Sequence, residues 1–177
     1  MKISAVVSAI LAVFFIIILV TGIIVNPETH IKKSITIEAP EAVVWTTLAS
    51  PDDYVNWYKS IRQTEVSPAD SKNKSMRDVS YSIIGREMAV TERIDFYESS
   101  DRITFTQVDT IRRSLIHNIR QSIALNALPD GSTEAVWEIT YTAPPVLSKL
   151  MDIILVRPAF GKLINLNLSS LKKYIER

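Results

Sequence analysis

The sequence lacks several residue types on which common kinds of site depend. It contains no cysteine and only two histidines, His30 and His117, among 177 residues. The absence of cysteine excludes a disulfide framework, a thiolate metal site and a cysteine nucleophile. Two histidines far apart in the chain are too few for a histidine-rich metal centre. Because the four glycines also form no phosphate-binding loop, we expect neither a metal nor another cofactor.

The chain also lacks an excess of charge of one sign. The 20 Lys and Arg residues nearly balance the 19 Asp and Glu residues, and the formal net charge is +1. A protein that binds nucleic acid through phosphate contacts usually presents a strongly basic surface. The composition therefore predicts no nucleic-acid partner, and it leaves a protein partner undetermined.

No charged residue occurs at positions 3–25, where the sequence reads ISAVVSAILAVFFIIILVTGIIV. As a helix, this run would be roughly 30–35 Å long, enough to cross the hydrocarbon core of a bilayer. A cleaved signal peptide is one alternative, but its apolar region is shorter and ends at a small-x-small cleavage site. A buried core helix is another alternative, but it would carry polar residues on one face. The run therefore predicts a single-pass transmembrane anchor over residues 1–26.

The charges that flank this run say little about its orientation. Lys2 precedes the run, and Lys32 and Lys33 follow it, offset by Glu28. Because positive charge tends to remain on the cytoplasmic side, a short tail with Lys2 is compatible with an internal N-terminus. The flanks slightly favour an extracytoplasmic position for the rest of the chain.

Residues 27–33 are predicted as a linker, and residues 34–177 as one α+β domain. Residues 31–38, with alternating apolar positions at Ile35 and Ile37, indicate a strand. A helix is expected to begin at Pro40, because proline is favoured in the first turn. A second short helix with aromatic anchors follows it.

After these helices the apolar period changes from 3.6 to 2, which indicates strands. Strands are predicted at residues 62–67, 76–84, 88–96, 103–107, 115–128 and 134–141. The turn over residues 129–132, with sequence PDGS, is typical of a hairpin. The last stretch predicts an amphipathic helix whose apolar stripe comprises Phe160, Ile164, Leu168, Leu171 and Ile175. A curved antiparallel sheet covered by this helix would enclose an apolar volume suited to a ligand.

Four segments occur in an informative order. They are ITIEAPEAVVW at 35–45, LASPDDYVNW at 48–57, LPDGSTEAVW at 128–137 and LSSLKKYIE at 168–176. Together they resemble the SRPBCC superfamily, which includes START lipid-transfer domains, pollen-allergen-like proteins and polyketide cyclases. The resemblance implies a helix-grip fold, in which the sheet wraps around the long C-terminal helix. The N-terminal anchor is not part of the superfamily pattern, and the glycine-rich loop of the pollen-allergen branch is missing.

Residues predicted to face the interior are candidates for contact with a hydrophobic small molecule or lipid. They are Trp57, Tyr81, Met88, Val90, Phe105, His117, Gln121, Trp137, Phe160, Ile164 and Asn167. The alternative for the aromatic members is ordinary core packing, since aromatic residues at helical or strand spacing are usually buried.

Two inward positions are titratable. His117 is in phase with Gln121 along one predicted strand, and Glu92 is in phase with Val90 along another. A buried carboxylate is costly unless it is paired, for example with Arg93 or Arg120. A catalytic histidine needs a partner within hydrogen-bond reach, and none is evident in the sequence. His117 and Glu92 are therefore candidates for an acid or base, without a firm assignment of catalysis.

These observations support three hypotheses. The leading one is a membrane-anchored protein, not an enzyme, that holds a hydrophobic small molecule or lipid between the sheet and the C-terminal helix. The second is an enzyme similar to polyketide cyclases and dehydratases that uses His117 or Glu92 as acid or base. The third is a regulatory module that binds a protein partner through an exposed apolar patch.

Overall fold

The computed structural model describes residues 6–10, 12–13, 16, 28–50, 53–67, 74–83, 86–96, 101–108, 116–143 and 146–177. The side chains of residues 62–67, 74–75, 81–83, 86–88, 96 and 146–148 lie outside this description. The elements in chain order are β1 (Glu28–Ile37), α1 (Glu41–Ala49), α2 (Tyr54–Trp57), β2 (Ile61–Ser67), β3 (Lys74–Ile83), β4 (Arg86–Phe96), β5 (Arg102–Gln107), β6 (His117–Ala127), β7 (Thr133–Thr142), α3 (Val146–Met151), a π-helical segment (Asp152–Val156) and α4 (Arg157–Ile175).

The described strands form one antiparallel sheet in the order β1-β7-β6-β5-β4-β3-β2. Consecutive strands from β2 to β7 are neighbours, and β1 joins the sheet beside the last strand. The two short helices α1 and α2 make the connection from β1 to the opposite edge. The α+β class and the antiparallel sheet predicted from the alternating periods are confirmed.

Strand β7 carries the clearest alternation. Ala135, Trp137, Ile139 and Tyr141 are buried, and the residues between them are half-buried. This follows the period of two, because successive side chains point to opposite faces of a sheet. The preceding hairpin turns at Gly131, whose φ of 84° favours glycine. Both features were predicted from the sequence.

Helix α4 lies along β1 and β7 and contacts α1 and α2. Ile164, Leu168 and Leu171 of its predicted apolar stripe are buried against the sheet. Its C-terminal end is tied to the end of β1, where the Lys172 ammonium donates to the carbonyl of Thr36 over 2.8 Å. The sheet and α4 thus form the helix-grip arrangement expected from the resemblance.

Strand β1 begins earlier than the sequence indicated. Residues 28–33, expected in a linker, pair with β7 from Glu28 opposite Thr142 onward. Thr29 and Ile31 are buried, whereas their neighbours are exposed. The inward position next to Ile31 is occupied by Thr29, which is polar. The alternation of apolar residues that indicates a strand is therefore not visible at this end of β1.

The predicted membrane anchor lies largely outside the described residues. Residues 6–10, 12–13 and 16 are helical, and their side chains are exposed. In the part of the chain that the structure describes, no helix has both the length and the apolar character needed to cross a bilayer.

Candidate functional site

A buried ion pair lies on the inner face of the sheet. Arg77 in β3 and Glu92 in β4 are directly opposite each other in the register. The Nε and Nη2 atoms of Arg77 donate to Oε2 of Glu92 over 2.9 and 2.6 Å. The side chains are 0% and 3% exposed, respectively. Removing two charges from water is costly, so such a pair persists only with good geometry and further hydrogen bonds.

Further hydrogen bonds extend this pair across the interior. Gln121 in β6 donates from Nε2 to Oε1 of Glu92 over 3.3 Å. The hydroxyl of Tyr58, just after α2, donates to Oε1 of Gln121 over 2.9 Å. We call Tyr58, Arg77, Glu92 and Gln121 the inner polar cluster. It connects three strands with the α2 region.

Aromatic rings surround the inner polar cluster. The guanidinium carbon of Arg77 lies 3.9 Å from the ring centroid of Phe105 and 4.9 Å from that of Tyr54. These distances are within the range of cation–π attraction, which partly replaces the lost hydration of the charge. The ring of Tyr58 stacks on Trp57 at 5.3 Å and meets Trp137 edge-on at 5.0 Å. The charges are therefore enclosed by protein rather than by water.

Tyr54 is held in its neutral form at this site. Burial raises the pKa of its phenol well above the usual range; the Arg77 charge opposes this shift, and the Glu92 charge adds to it. The hydroxyl donates to the carbonyl of Leu48 over 2.7 Å. Tyr54 therefore stays protonated and packs beside the inner polar cluster as a neutral side chain.

Several buried polar atoms, the Thr104 hydroxyl among them, have no hydrogen-bond partner among the described residues. Three of these atoms are the indole Nε1 atoms of Trp57 and Trp137 and the amide Oδ1 of Asn167. Each of the three side chains is at most 1% exposed. The Nδ2 of Asn167 donates to the hydroxyl of Ser60 over 3.3 Å, so its amide is oriented. Leaving a buried donor or acceptor unsatisfied costs about 1–3 kcal/mol each.

A second polar cluster occupies the junction between β7, β1 and the helices. Asp152, fully buried at the start of the π-helical segment, accepts hydrogen bonds from the hydroxyls of Tyr141 and Thr29. The Thr29 bond is 2.9 Å long, and Nη2 of Arg157 donates to the same Asp152 oxygen over 3.2 Å. Burial, followed by the hydrogen bond to Asp152, raises the pKa of Tyr141 above its usual range. We call these four residues the Asp152 clamp.

The charged and titratable residues offer little to a metal ion. Among the described residues, no three His, Asp or Glu side chains gather as a metal site would require. The inner polar cluster has one carboxylate, already engaged by Arg77, and the Asp152 clamp has one carboxylate bonded to three donors.

Comparison with protein families identifies the family of this chain. A family model described as "Polyketide cyclase / dehydrase and lipid transport" matches residues 28–176. The chain belongs to this family. The family also supports the SRPBCC superfamily expected from the four sequence segments. No curated protein sequence matches this member of the polyketide cyclase and lipid transport family.

Solved structures share the fold of this family member. The Zhui aromatase/cyclase from a Streptomyces species superposes with a TM-score of 0.71 at 16% identity, covering 85% of this chain and 94% of that one. A START superfamily protein from Mycobacterium smegmatis gives a TM-score of 0.66 at 11% identity, covering 83% and 97%. A major latex-like protein from Panax ginseng gives 0.67 at 15% identity, covering 84% and 98%. At such identities the likeness establishes the fold alone.

The structure brings together part of the predicted ligand-contacting set. Trp57, Phe105, Gln121 and Trp137 lie in or beside the inner polar cluster. Val90, Ile164 and Asn167 are also buried. Phe160 lies elsewhere, 5.5 Å from the Tyr141 ring at the Asp152 clamp. Tyr81 and Met88 are partners in the β3–β4 register, but their side chains lie outside the described residues.

His117 differs from the other candidates in its position. It is half-buried as the first residue of β6, and the register shifts between it and Arg120. Asn118, within this bulge, has a φ of 55°. The bulge interrupts the regular alternation that places Gln121, Ile123 and Leu125 in the core, and this is why phase alone predicted a deeper His117.

Glu92 is buried and paired as expected, but with a different arginine. Arg120 is exposed, and Arg93 donates to Asp95 over 3.1 Å. The sequence analysis missed Arg77, although a glycine at position 85 favours a turn between the two strands. In the register Ile83 pairs with Arg86, the numbers of paired residues sum to 169, and Arg77 therefore lies opposite Glu92.

Proposed function

We propose that this protein is a membrane-tethered carrier for an apolar small molecule or lipid that bears a hydroxyl or carbonyl group. The guest would lie between the sheet and α4. The observation that carries the proposal is the set of buried polar atoms without partners on Trp57, Trp137 and Asn167. A hydroxyl or carbonyl could pair with an indole N–H, and a hydroxyl could also donate to the amide oxygen. A pure hydrocarbon would leave all three atoms unsatisfied.

The family description supports this choice of ligand class, since it includes lipid transport as well as cyclase and dehydrase chemistry. The elements that carry the three atoms also fit a binding role. Trp57 belongs to α2, Trp137 to β7 and Asn167 to α4, so the atoms come from the elements that enclose the interior. Outside the inner polar cluster, the buried side chains of the interior are mostly apolar, which favours a molecule that is mostly hydrophobic.

The tether is the part of the proposal that rests on sequence. Residues 3–25 are uncharged and long enough to cross a bilayer, and the short tail with Lys2 is compatible with an extracytoplasmic position for the domain. A carrier held at the bilayer would remain where apolar ligands partition. This is the physical advantage of joining such a run to a ligand-binding fold.

Native mass spectrometry of the full chain, extracted from membranes in mild detergent, tests the carrier. We expect a bound oxygen-containing apolar molecule, and a severalfold lower occupancy in Trp57→Phe, which removes the indole N–H but keeps an aromatic ring. Trp45→Phe is the matched control, because Trp45 is a partly buried tryptophan on α1. Protein that carries no apolar molecule, or equal occupancy in Trp57→Phe and Trp45→Phe, would contradict the proposal.

A cyclase or dehydratase is the second candidate, favoured by the position of Glu92. Its carboxylate is held in the interior by Arg77 and Gln121, where an acid or base could reach an enclosed substrate. In this case Glu92→Gln would abolish turnover of a polyketide-like substrate while binding is kept. Unchanged turnover in both Glu92→Gln and His117→Ala would exclude this candidate.

A further inference from the structure

Three consecutive large apolar side chains are exposed where α3 meets α4. Ile153, Ile154 and Leu155 are 45%, 59% and 49% exposed in the π-helical segment. Consecutive residues of a helix point in different directions, so these three do not share one narrow face. They form a broad projection that we call the apolar knob. Exposed apolar clusters of this kind mark contact sites for proteins or membranes.

The base of the knob is held firmly. Asp152 immediately precedes it and is bonded to Thr29, Tyr141 and Arg157 in the Asp152 clamp. These bonds connect the knob to β1, β7 and α4. The exposure of the three side chains is therefore a feature of a well-connected junction.

The clamp also places the knob close to the N-terminal run. Thr29, which donates to Asp152, is only four residues beyond Val25, the last residue of the uncharged run. Four residues span at most about 14 Å, even when fully extended. A membrane crossed by residues 3–25 would consequently face the end of the domain that carries the knob.

The charges near the knob suit an anionic lipid surface. Between Ile153 and Lys162 the sequence has two cations, Arg157 and Lys162, and no acidic residue. Lys162 is exposed on α4, and the Arg157 side chain beside the knob is 44% exposed. Basic residues next to an apolar surface add electrostatic attraction to lipid phosphates.

We propose that the apolar knob inserts into the interfacial layer of an anionic bilayer and orients the domain with the α3–α4 junction toward the lipid. This inference rests on the tether of the proposed function, but it concerns a second contact made by the folded domain. The knob would lie in the headgroup and acyl boundary while the sheet and the opposite end of α4 remain in water. An oriented domain would hold this end of the sheet and α4 close to the source of an apolar guest.

The absence of cysteine permits a direct test, because an introduced cysteine is the only thiol in the chain. The full chain with Ile154→Cys is labelled with an environment-sensitive fluorophore and reconstituted into vesicles of phosphatidylcholine and phosphatidylglycerol. Val43→Cys is the matched control, since Val43 is 48% exposed near the start of α1. This helix begins beside Ala39, whose carbonyl binds Thr133 at the far end of the β1–β7 pair.

We expect spin-labelled lipids to quench the Ile154 label at least roughly threefold more strongly than the Val43 label, because an interfacial segment is buried about 5–10 Å. Flotation with the vesicles reports the tether separately. Flotation with equal quenching at both positions would overturn the knob contact and leave the tether standing. Loss of flotation would overturn the tether and, with it, this inference. Protection of the Ile154 label by dimerisation, without lipid quenching, would assign the knob to a second copy of the chain and would also overturn it.

Discussion

Two carboxylates among the described residues, Glu92 and Asp152, are buried in different ways. Glu92 shares the inner face of the sheet with a fully buried arginine, and aromatic rings enclose the pair. Asp152 lies at the junction of β1, β7 and α4, where its arginine is 44% exposed and two hydroxyls also donate to it. The surroundings of the two carboxylates also differ. The aromatic rings beside the inner polar cluster include Trp57 and Trp137, whose indole N–H groups have no partner among the described residues, whereas the bonds of Asp152 join chain segments.

The largest expected effect on stability comes from removing Arg77, the arginine paired with Glu92. Arg77→Met leaves a buried carboxylate without its cation, and we expect a loss of about 3–5 kcal/mol in the free energy of unfolding. Urea unfolding followed by tryptophan fluorescence measures it. The double variant Arg77→Met/Glu92→Met should recover most of the loss, because it removes both charges. A single-variant loss below about 1 kcal/mol would mean that water reaches the pair.

A smaller effect is expected at Asp152, because it keeps other donors when one is removed. Tyr141→Phe deletes one hydrogen bond and leaves those from Thr29 and Arg157, so we expect a loss of about 1–3 kcal/mol in the free energy of unfolding. Tyr174→Phe is the control, since its hydroxyl donates to Asp53 in a partly buried position. Equal losses in the two variants would show that the clamp adds no more than a surface contact.

The smallest expected effect is a dependence on alkaline pH that involves both regions. Burial raises the pKa of Tyr54 and of Tyr141 above the usual value near 10. Above that value the unfolded chain loses protons that the folded chain keeps, so stability falls as pH rises. The limit is about 1.4 kcal/mol per pH unit for each tyrosine.

Unfolding of the wild type, Tyr54→Phe and Tyr141→Phe between neutral pH and pH values above about 10 measures this slope. Each variant should have a shallower alkaline decline than the wild type. Lys149→Met is the control, because Lys149 should have the opposite effect on the pH dependence. Burial lowers the pKa of Lys149, so this residue makes stability rise with pH as the pH approaches the usual lysine pKa from below. If the free energy of unfolding fell with pH at the same rate in all four proteins, these groups would not cause the alkaline decline.

Local patterns predicted much of the fold and some of the candidate site. The buried face of β7, the turn at Gly131 and the stripe on α4 follow from spacing within one element. Their residues are close in sequence, so hydrophobic period and turn chemistry were sufficient. The early start of β1 escaped because its first inward residue is Thr29, whose partner Asp152 is 123 residues away.

The sequence by itself determined the alternation of strands and helices, the inward position of Glu92 and an uncharged run long enough to cross a bilayer. Only the tertiary structure decided that Arg77 neutralises Glu92, that Asp152 ties β1 to the helices and that Ile153–Leu155 stay exposed. Period and propensity act along the chain, whereas pairing of charges and satisfaction of buried polar groups depend on which distant residues meet in space.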